Sequence, residues 1–313
     1  MQNFIENYLK INNYEINYFT NWRNNITCLV IFWDEKIIIQ KENIDFPENQ
    51  KYLINKLISE SEKTDLNLAW SYLKDRFIKF EWWYYQIMNY IESINLDENN
   101  LDEKSILSMF NYLARFHNFS ETLKIEENRK NIWKTFKSID ELLIEAEKLN
   151  YTNNKYNKYF EKILDIKNNL SIIEIEKNDL RKWIIHWDPA FKNFIFNKNK
   201  QALSLIDYEK VEYNNFNWDL ADLIRSLIKV EFFDNILLKK CILEYEKKRK
   251  LVENEKKYLK NYLETLILHV ILQYFLALFP ESSVNNMIWD NSDTIKKLER
   301  GFWELNKVKN WLI

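Results

Sequence analysis

The hydrophobic positions of this chain fall into two textures. Strand-like runs are confined to the first ninety residues. Ile26-Thr27-Cys28-Leu29-Val30-Ile31-Phe32-Trp33 is β-branched and aromatic, and Ile37-Ile38-Ile39 follows after the polar break Asp34-Glu35-Lys36, which predicts a hairpin. Glu48 to Ser61 carries Leu53, Ile54, Leu57 and Ile58 at helical spacing. Phe77 to Phe80 and Trp83 to Met88 predict two further strands.

From Asp102 onward the spacing becomes helical. Ile106, Phe110, Leu113, Ala114 and His117 share one face, as do Ile139, Leu142, Leu143 and Ala146, and Lys155 to Asn169 is a third amphipathic run. Short apolar segments at Trp183-Ile184-Ile185, Phe194-Ile195-Phe196 and Leu203 to Ile206 interrupt this texture, and helices resume at Asp219. The expected plan is α+β and bilobal. Residues 1–90 form a small β-rich lobe and residues 91–313 a large helical lobe, with a hydrophobic connector near Met88 to Ile91.

Composition narrows the chemistry. The net charge of −2 argues against a partner held by global charge, so no nucleic acid is expected. With a single glycine, Gly301, a glycine-dependent phosphate loop cannot be built. Cys28 and Cys241 are too few for a disulfide framework or a cysteine zinc site. The first residues lack a basic stretch followed by an apolar one. The most apolar window, Leu263 to Phe279, is short and contains Glu264, His269 and Gln273, so it reads as a buried helix. A cytoplasmic protein with no membrane partner is the expectation.

The informative stretch runs from His186 to Asp207. Asp188 and Asn193 lie five positions apart in one loop after an apolar segment, and Asp207 closes the next. Two carboxylates and an amide oxygen form a hard-oxygen set suited to Mg²⁺. Phosphoryl transfer asks for such a metal site, a carboxylate to orient the attacking hydroxyl, and a cation on the phosphates.

His186-x-Asp188-x-x-x-x-Asn193 followed by Ile206-Asp207-Tyr208-Glu209 resembles the catalytic and metal segments of the aminoglycoside phosphotransferase/choline kinase superfamily, small-molecule kinases with a protein-kinase-like fold. Four companions stand in the family's order. They are Asp34 to Lys41, Tyr84 to Glu92, Leu113-Ala114-Arg115-Phe116-His117 and Trp218-Asp219-Leu220-Ala221. Ordered motifs are far more specific than any one alone.

The resemblance implies an ATP-dependent phosphotransferase acting on a hydroxyl of a small cationic metabolite or antibiotic, with ATP and Mg²⁺ as cofactors. It makes Asp188 the catalytic base, and Asn193 and Asp207 the metal ligands. Lys41 would contact the α and β phosphates, with Glu60 positioning it and Glu62 as the second choice. Backbone groups of Ile87, Met88 and Asn89 would meet adenine. Trp187, Glu209 and Trp218 would face the substrate, and Asp219 would cap its helix and brace the catalytic loop. Two departures stand out. Trp187 occupies a place where the family has a small or polar residue, and Asn21 to Asn25 replaces a loop that often contains glycine. They motivate the alternative of a weak or inactive pseudokinase serving as a nucleotide-binding scaffold.

Overall fold

The computed structural model describes residues 1–19, 26–42, 47–64, 66, 68, 78–94, 96–126, 138–170, 180–284 and 291–311. A helical turn at Phe4–Tyr8 precedes strands β1 (Tyr14–Phe19), β2 (Ile26–Phe32) and β3 (Glu35–Glu42), helix α1 (Glu48–Ser61), and strands β4 (Ile78–Phe80) and β5 (Trp83–Asn89). The five strands form one antiparallel sheet in the order β1-β2-β3-β5-β4. The hairpin turn is tighter than the polar break suggested. Trp33 and Asp34 make the turn, Trp33 at a φ of 50°, and Glu35 and Lys36 already belong to β3. The sequence pattern did not reveal β1, because Tyr14 to Phe19 is half-exposed or exposed at every position and so lacks a buried apolar stripe.

Alternation gives the sheet two distinct faces. Ile37 and Ile39 of β3 and Tyr85 and Ile87 of β5 bury with Cys28, Val30, Phe4 and Ile5 in a small core. Phe4 stacks on Tyr85 with ring centroids 3.8 Å apart, so the N-terminal turn covers this face. The opposite face carries Ile38, Gln40, Tyr84, Gln86 and Met88, and Lys51 of α1 reaches over the Tyr84 ring at 5.9 Å. Helix α1 buries Leu53, Ile54, Leu57 and Ile58 in the large core of the remaining chain rather than in the small one.

Past the connector, Ile94 bridges Phe196, its N–H donating to the Phe196 carbonyl at 2.9 Å. The large lobe contains α2 (Glu103–Thr122), α3 (Ile139–Thr152), α4 (Asn157–Asn169), β6 (Lys182–Ile185), β7 (Phe194–Phe196), β8 (Ala202–Leu205), β9 (Glu212–Asn215), α5 (Asn217–Leu227), α6 (Asn235–Glu246), α7 (Glu253–Leu276) and α8 (Asn291–Lys309). Helix α2 opens on a capping box between Asp102 and Ser105, satisfying two orphan backbone donors. It buries Ile106, Met109, Phe110, Leu113 and Phe116 completely, and each such side chain contributes about 1.5–3 kcal/mol. β6 pairs with β9 and β7 with β8, two short antiparallel ribbons that hold the intervening loops at one end of the lobe. No helix is long and apolar enough to cross a membrane, among the described residues.

Candidate active site

Strand β6 ends at Ile185, and the loop 186–193 is then pinned from the first turn of α5. Asp219 Oδ2 accepts the His186 backbone N–H at 2.9 Å, and Oδ1 accepts that of Trp187 at 2.7 Å. Oδ2 also lies 3.0 Å from His117 Nε2, while His117 Nδ1 lies 2.6 Å from the Tyr245 hydroxyl. Burial pushes the Asp219 carboxyl up to about 6 and holds His117 well below its ordinary value. A neutral His117 donating from Nε2 and accepting at Nδ1 satisfies both ring nitrogens, the tautomer being inferred from its partners. Asp219 therefore braces the loop, as expected. It does not cap its helix, since the N-cap residue of α5 is Phe216, with no side-chain cap.

The loop and the segment after β8 are fastened together. His186 Nε2 donates to the Ile206 carbonyl across 3.0 Å, one residue before Asp207. Ile206 N–H donates to the Asn193 carbonyl at 2.9 Å. Asn193 is buried, and its Nδ2 donates to the Asp188 carbonyl at 2.8 Å, leaving Oδ1 for another partner. Trp187 and Asp207 both sit at a φ of 71°. Aspartate tolerates that left-handed region, whereas a bulky tryptophan there is strained by about 1–3 kcal/mol.

Asp188 itself is met by a residue that the sequence pattern did not single out. Lys210 Nζ lies 2.8 Å from Asp188 Oδ2. Burial alone would raise the Asp188 carboxyl, but Lys210 and Lys192 hold it below the usual carboxylate range. Burial likewise opposes the Lys210 ammonium, and Asp188, Asp222 and Asp207 together raise it. Its only signal in the sequence was a lysine three places after Asp207. Asp222 of α5 is buried and holds Arg225 through Oδ1 at 3.0 Å, while its Oδ2 has no hydrogen-bond partner among the described residues. Burial pushes its carboxyl up to about 6.

On the small-lobe side the expectations need correction. Lys41 does not turn towards α1. It pairs in register with Tyr85 and stands on the face of Ile37 and Ile39, with Nζ 3.8 Å from the Trp83 ring centroid and near the N-terminal amine. The period-two alternation of β3 puts Gln40, buried, on the α1 face instead. Glu60 is bound to Lys56 at 3.3 Å and Lys63 at 2.8 Å, both on or just after its own helix, so the pair Lys41–Glu60 is not formed. Glu62 follows at the C-cap of α1. Ile87, Met88 and Asn89 pair with Ile39, Ile38 and Ile37 along one edge of β5, while β4 reaches only as far as Tyr85 on the other. That leaves their outer backbone edge without a strand partner among the described residues.

Trp187 is half-buried, with its ring centroid 5.1 Å from that of Trp218, which is buried and packs edge-on against Tyr262 at 4.9 Å. Trp187 thus packs against the core through Trp218. The side chain of Glu209 and the loop at 21–25 lie outside the described residues. The oxygen chemistry fits magnesium. Asn193 Oδ1 and Asp207 are hard donors, and this ion takes its remaining ligands from water and phosphate.

No protein-family model matches the chain, and no curated protein matches it in sequence. Solved structures do match its fold. An amicoumacin kinase in complex with AMP-PNP, Ca²⁺ and Ami superposes with a TM-score of 0.68 at 11% identity, covering 95% of this chain and 90% of that one. A spectinomycin phosphotransferase in complex with ADP and spectinomycin gives 0.63 at 12% identity, over 96% and 94%. An ethanolamine kinase from Plasmodium vivax gives 0.62 at 12% identity, over 97% and 86%. The chain has the protein-kinase-like α+β fold of the aminoglycoside phosphotransferases and choline and ethanolamine kinases. At these identities the likeness is one of fold.

Proposed function

We propose that this protein is an ATP-dependent phosphotransferase that moves the terminal phosphoryl group of ATP to a hydroxyl of a small cationic metabolite or antibiotic. The observation that carries this reading is the fastening of Asp188 and Asp207 into one unit. Asp219 holds the loop before Asp188, Asn193 holds the Asp188 carbonyl, and His186 ties that loop to Ile206. Phosphoryl transfer asks little covalent chemistry of a protein and much positioning, which is what such bracing provides.

In this reading Asn193 Oδ1 and Asp207 hold Mg²⁺. Bound there, the metal supplies charge neutralisation for the phosphate oxygens. Asp188 orients the acceptor hydroxyl and takes its proton on Oδ1, because Oδ2 is engaged by Lys210. The outer edge of Ile87 to Asn89 meets adenine through backbone groups. Trp187 walls the acceptor site and, with the acidic neighbourhood of Asp222, favours a cation by ring attraction and charge.

Phosphate transfer from ATP across choline, ethanolamine, thiamine, homoserine and aminoglycosides tests the proposal. Magnesium-dependent ADP formation with at least one acceptor supports it. Mg-ATP binding without transfer to any of them favours the alternative, a nucleotide-binding scaffold of the same fold. The turning of Lys41 away from α1 is the observation on that side.

A further inference from the structure

Lys210 holds the Asp188 carboxylate, its Nζ 2.8 Å from Oδ2. A phosphoryl group in flight spreads negative charge over its equatorial oxygens, and a protein cation beside it is a recurring requirement. Strand β3 carries two lysines, and Lys36 stands over the Tyr90 ring at 5.3 Å. Lys41 lies on the Trp83 side of the sheet, and the neutral Gln40 beside it stands on the opposite face. Lys51 does lie on the α1 face, yet it is tied to Glu48 of its own helix at 3.2 Å and sits over Tyr84. Lys192, on the Asp188 loop, is exposed. Lys210 is different. Its ammonium touches Asp188 Oδ2 at 2.8 Å, its side chain remains 35% exposed, and the charges of Asp222 and Asp207 also favour it.

We propose that Lys210 supplies, from the segment after Asp207, the phosphate-side cation that Lys41 of strand β3, turned to Trp83, does not bring. This rests on the phosphotransferase reading. An acceptor hydroxyl within hydrogen-bond reach of Asp188, about 2.6–3.2 Å, places the attacked phosphorus next to the same carboxylate. An ammonium already on that carboxylate then reaches a terminal phosphate oxygen by a change of side-chain torsion, without backbone movement. In the transfer, the bond between the acceptor oxygen and the γ-phosphorus forms. The bond from that phosphorus to the bridging oxygen breaks, and its electron pair leaves on ADP. The hydroxyl proton passes to Asp188 Oδ1. Lys210 keeps its own proton throughout, holding Oδ2 and offsetting charge on the phosphoryl oxygens.

The inference is tested by nucleotide binding, which needs no acceptor. Calorimetry compares Mg-AMP-PNP with Mg-ADP for the full chain and for Lys210→Met, Lys210→Arg, Lys51→Met and Lys41→Met. Lys210→Met is expected to weaken Mg-AMP-PNP about tenfold to a hundredfold more than Mg-ADP, the worth of one charge-assisted hydrogen bond. Lys210→Arg should recover part of that preference, and Lys41→Met should alter neither affinity. Equal effects of Lys210→Met on both nucleotides, or the selective loss appearing in Lys51→Met instead, would overturn the assignment of Lys210 alone. A wild-type chain that binds neither nucleotide overturns the phosphotransferase reading and this inference with it. Circular dichroism of each variant separates these outcomes from misfolding.

Discussion

Asp219 and Trp187 define the backbone of the candidate catalytic loop: the carboxylate accepts the Trp187 N–H at 2.7 Å while Trp187 stands at a φ of 71°. A tryptophan adopts this left-handed conformation only when its surroundings enforce it. The enforcing group is itself over-determined, since the other Asp219 oxygen accepts the His186 N–H at 2.9 Å and faces His117 at 3.0 Å. The buried network around Asp219 therefore sustains the left-handed backbone at residue 187, immediately before Asp188.

Asp219→Ala is expected to destabilise the protein by about 2–5 kcal/mol, because each buried donor left unsatisfied costs about 1–3 kcal/mol. Chemical denaturation of the two proteins measures the difference. Because the loop loses its aim, activity should also fall under conditions where the variant remains folded. A variant equally stable and equally active would show that the network does not position the loop.

Asp188→Asn separates chemistry from binding. An amide fills the same volume but cannot take the hydroxyl proton, so turnover should drop by about 10²–10⁴-fold. The metal-side groups Asn193 and Asp207 are untouched, and Mg-ATP should still bind. Steady-state transfer and calorimetry on the same preparation check both halves. Undiminished turnover would remove Asp188 from its role.

How much of this was legible beforehand differs between the lobes. Helices α2, α3 and α4 of the large lobe follow from apolar periodicity, and the loop from His186 to Asn193 declares itself because its polar residues are spaced between apolar segments. Strand β9 was not evident, since Glu212-Tyr213-Asn214-Asn215 carries no apolar stripe and is buried through polar contacts such as Asn215 Nδ2 to the Arg181 carbonyl at 2.8 Å. The face of Lys41 could not be settled from sequence. In Ile-Ile-Ile-Gln-Lys both faces are apolar, so the pattern leaves the alternation without a phase. Only the covering of Ile37 and Ile39 by Phe4 and Ile5 decides which way each side chain points. Lys210 was hidden for a different reason. Its partner, Asp188, is 22 positions away and reached only through the β7–β8 ribbon.

Asp207→Ala should weaken metal-dependent nucleotide binding while leaving the fold intact, because a half-buried carboxylate at a loop end supports little packing. The expected signature is loss of the difference between ATP affinity with magnesium and with a chelator. An unchanged magnesium effect would displace Asp207 from the metal site.

Asp222 yields a prediction about pH. Its carboxyl is pushed up to about 6 by burial from an ordinary value of 3.8, with Arg225 opposing and Asp188 adding to the shift. An acid whose pKa is higher folded than unfolded binds more protons in the folded state between those two values. The Asp222 contribution to stability is therefore greatest below pH 4 and is lost as pH rises towards 6. A rise from 3.8 to about 6 corresponds to about 3 kcal/mol for this buried group. Asp222→Asn removes the titration but keeps the volume and one acceptor for Arg225. Relative to wild type, the variant should thus gain up to about 3 kcal/mol between pH 4 and pH 6 and hold a constant difference above that range. Urea denaturation of both proteins at several pH values reads this directly. A stability difference that stayed flat from pH 4 to pH 7 would mean that Asp222 ionises at its ordinary value. The buried charge beside Lys210 would then already be compensated in the folded protein.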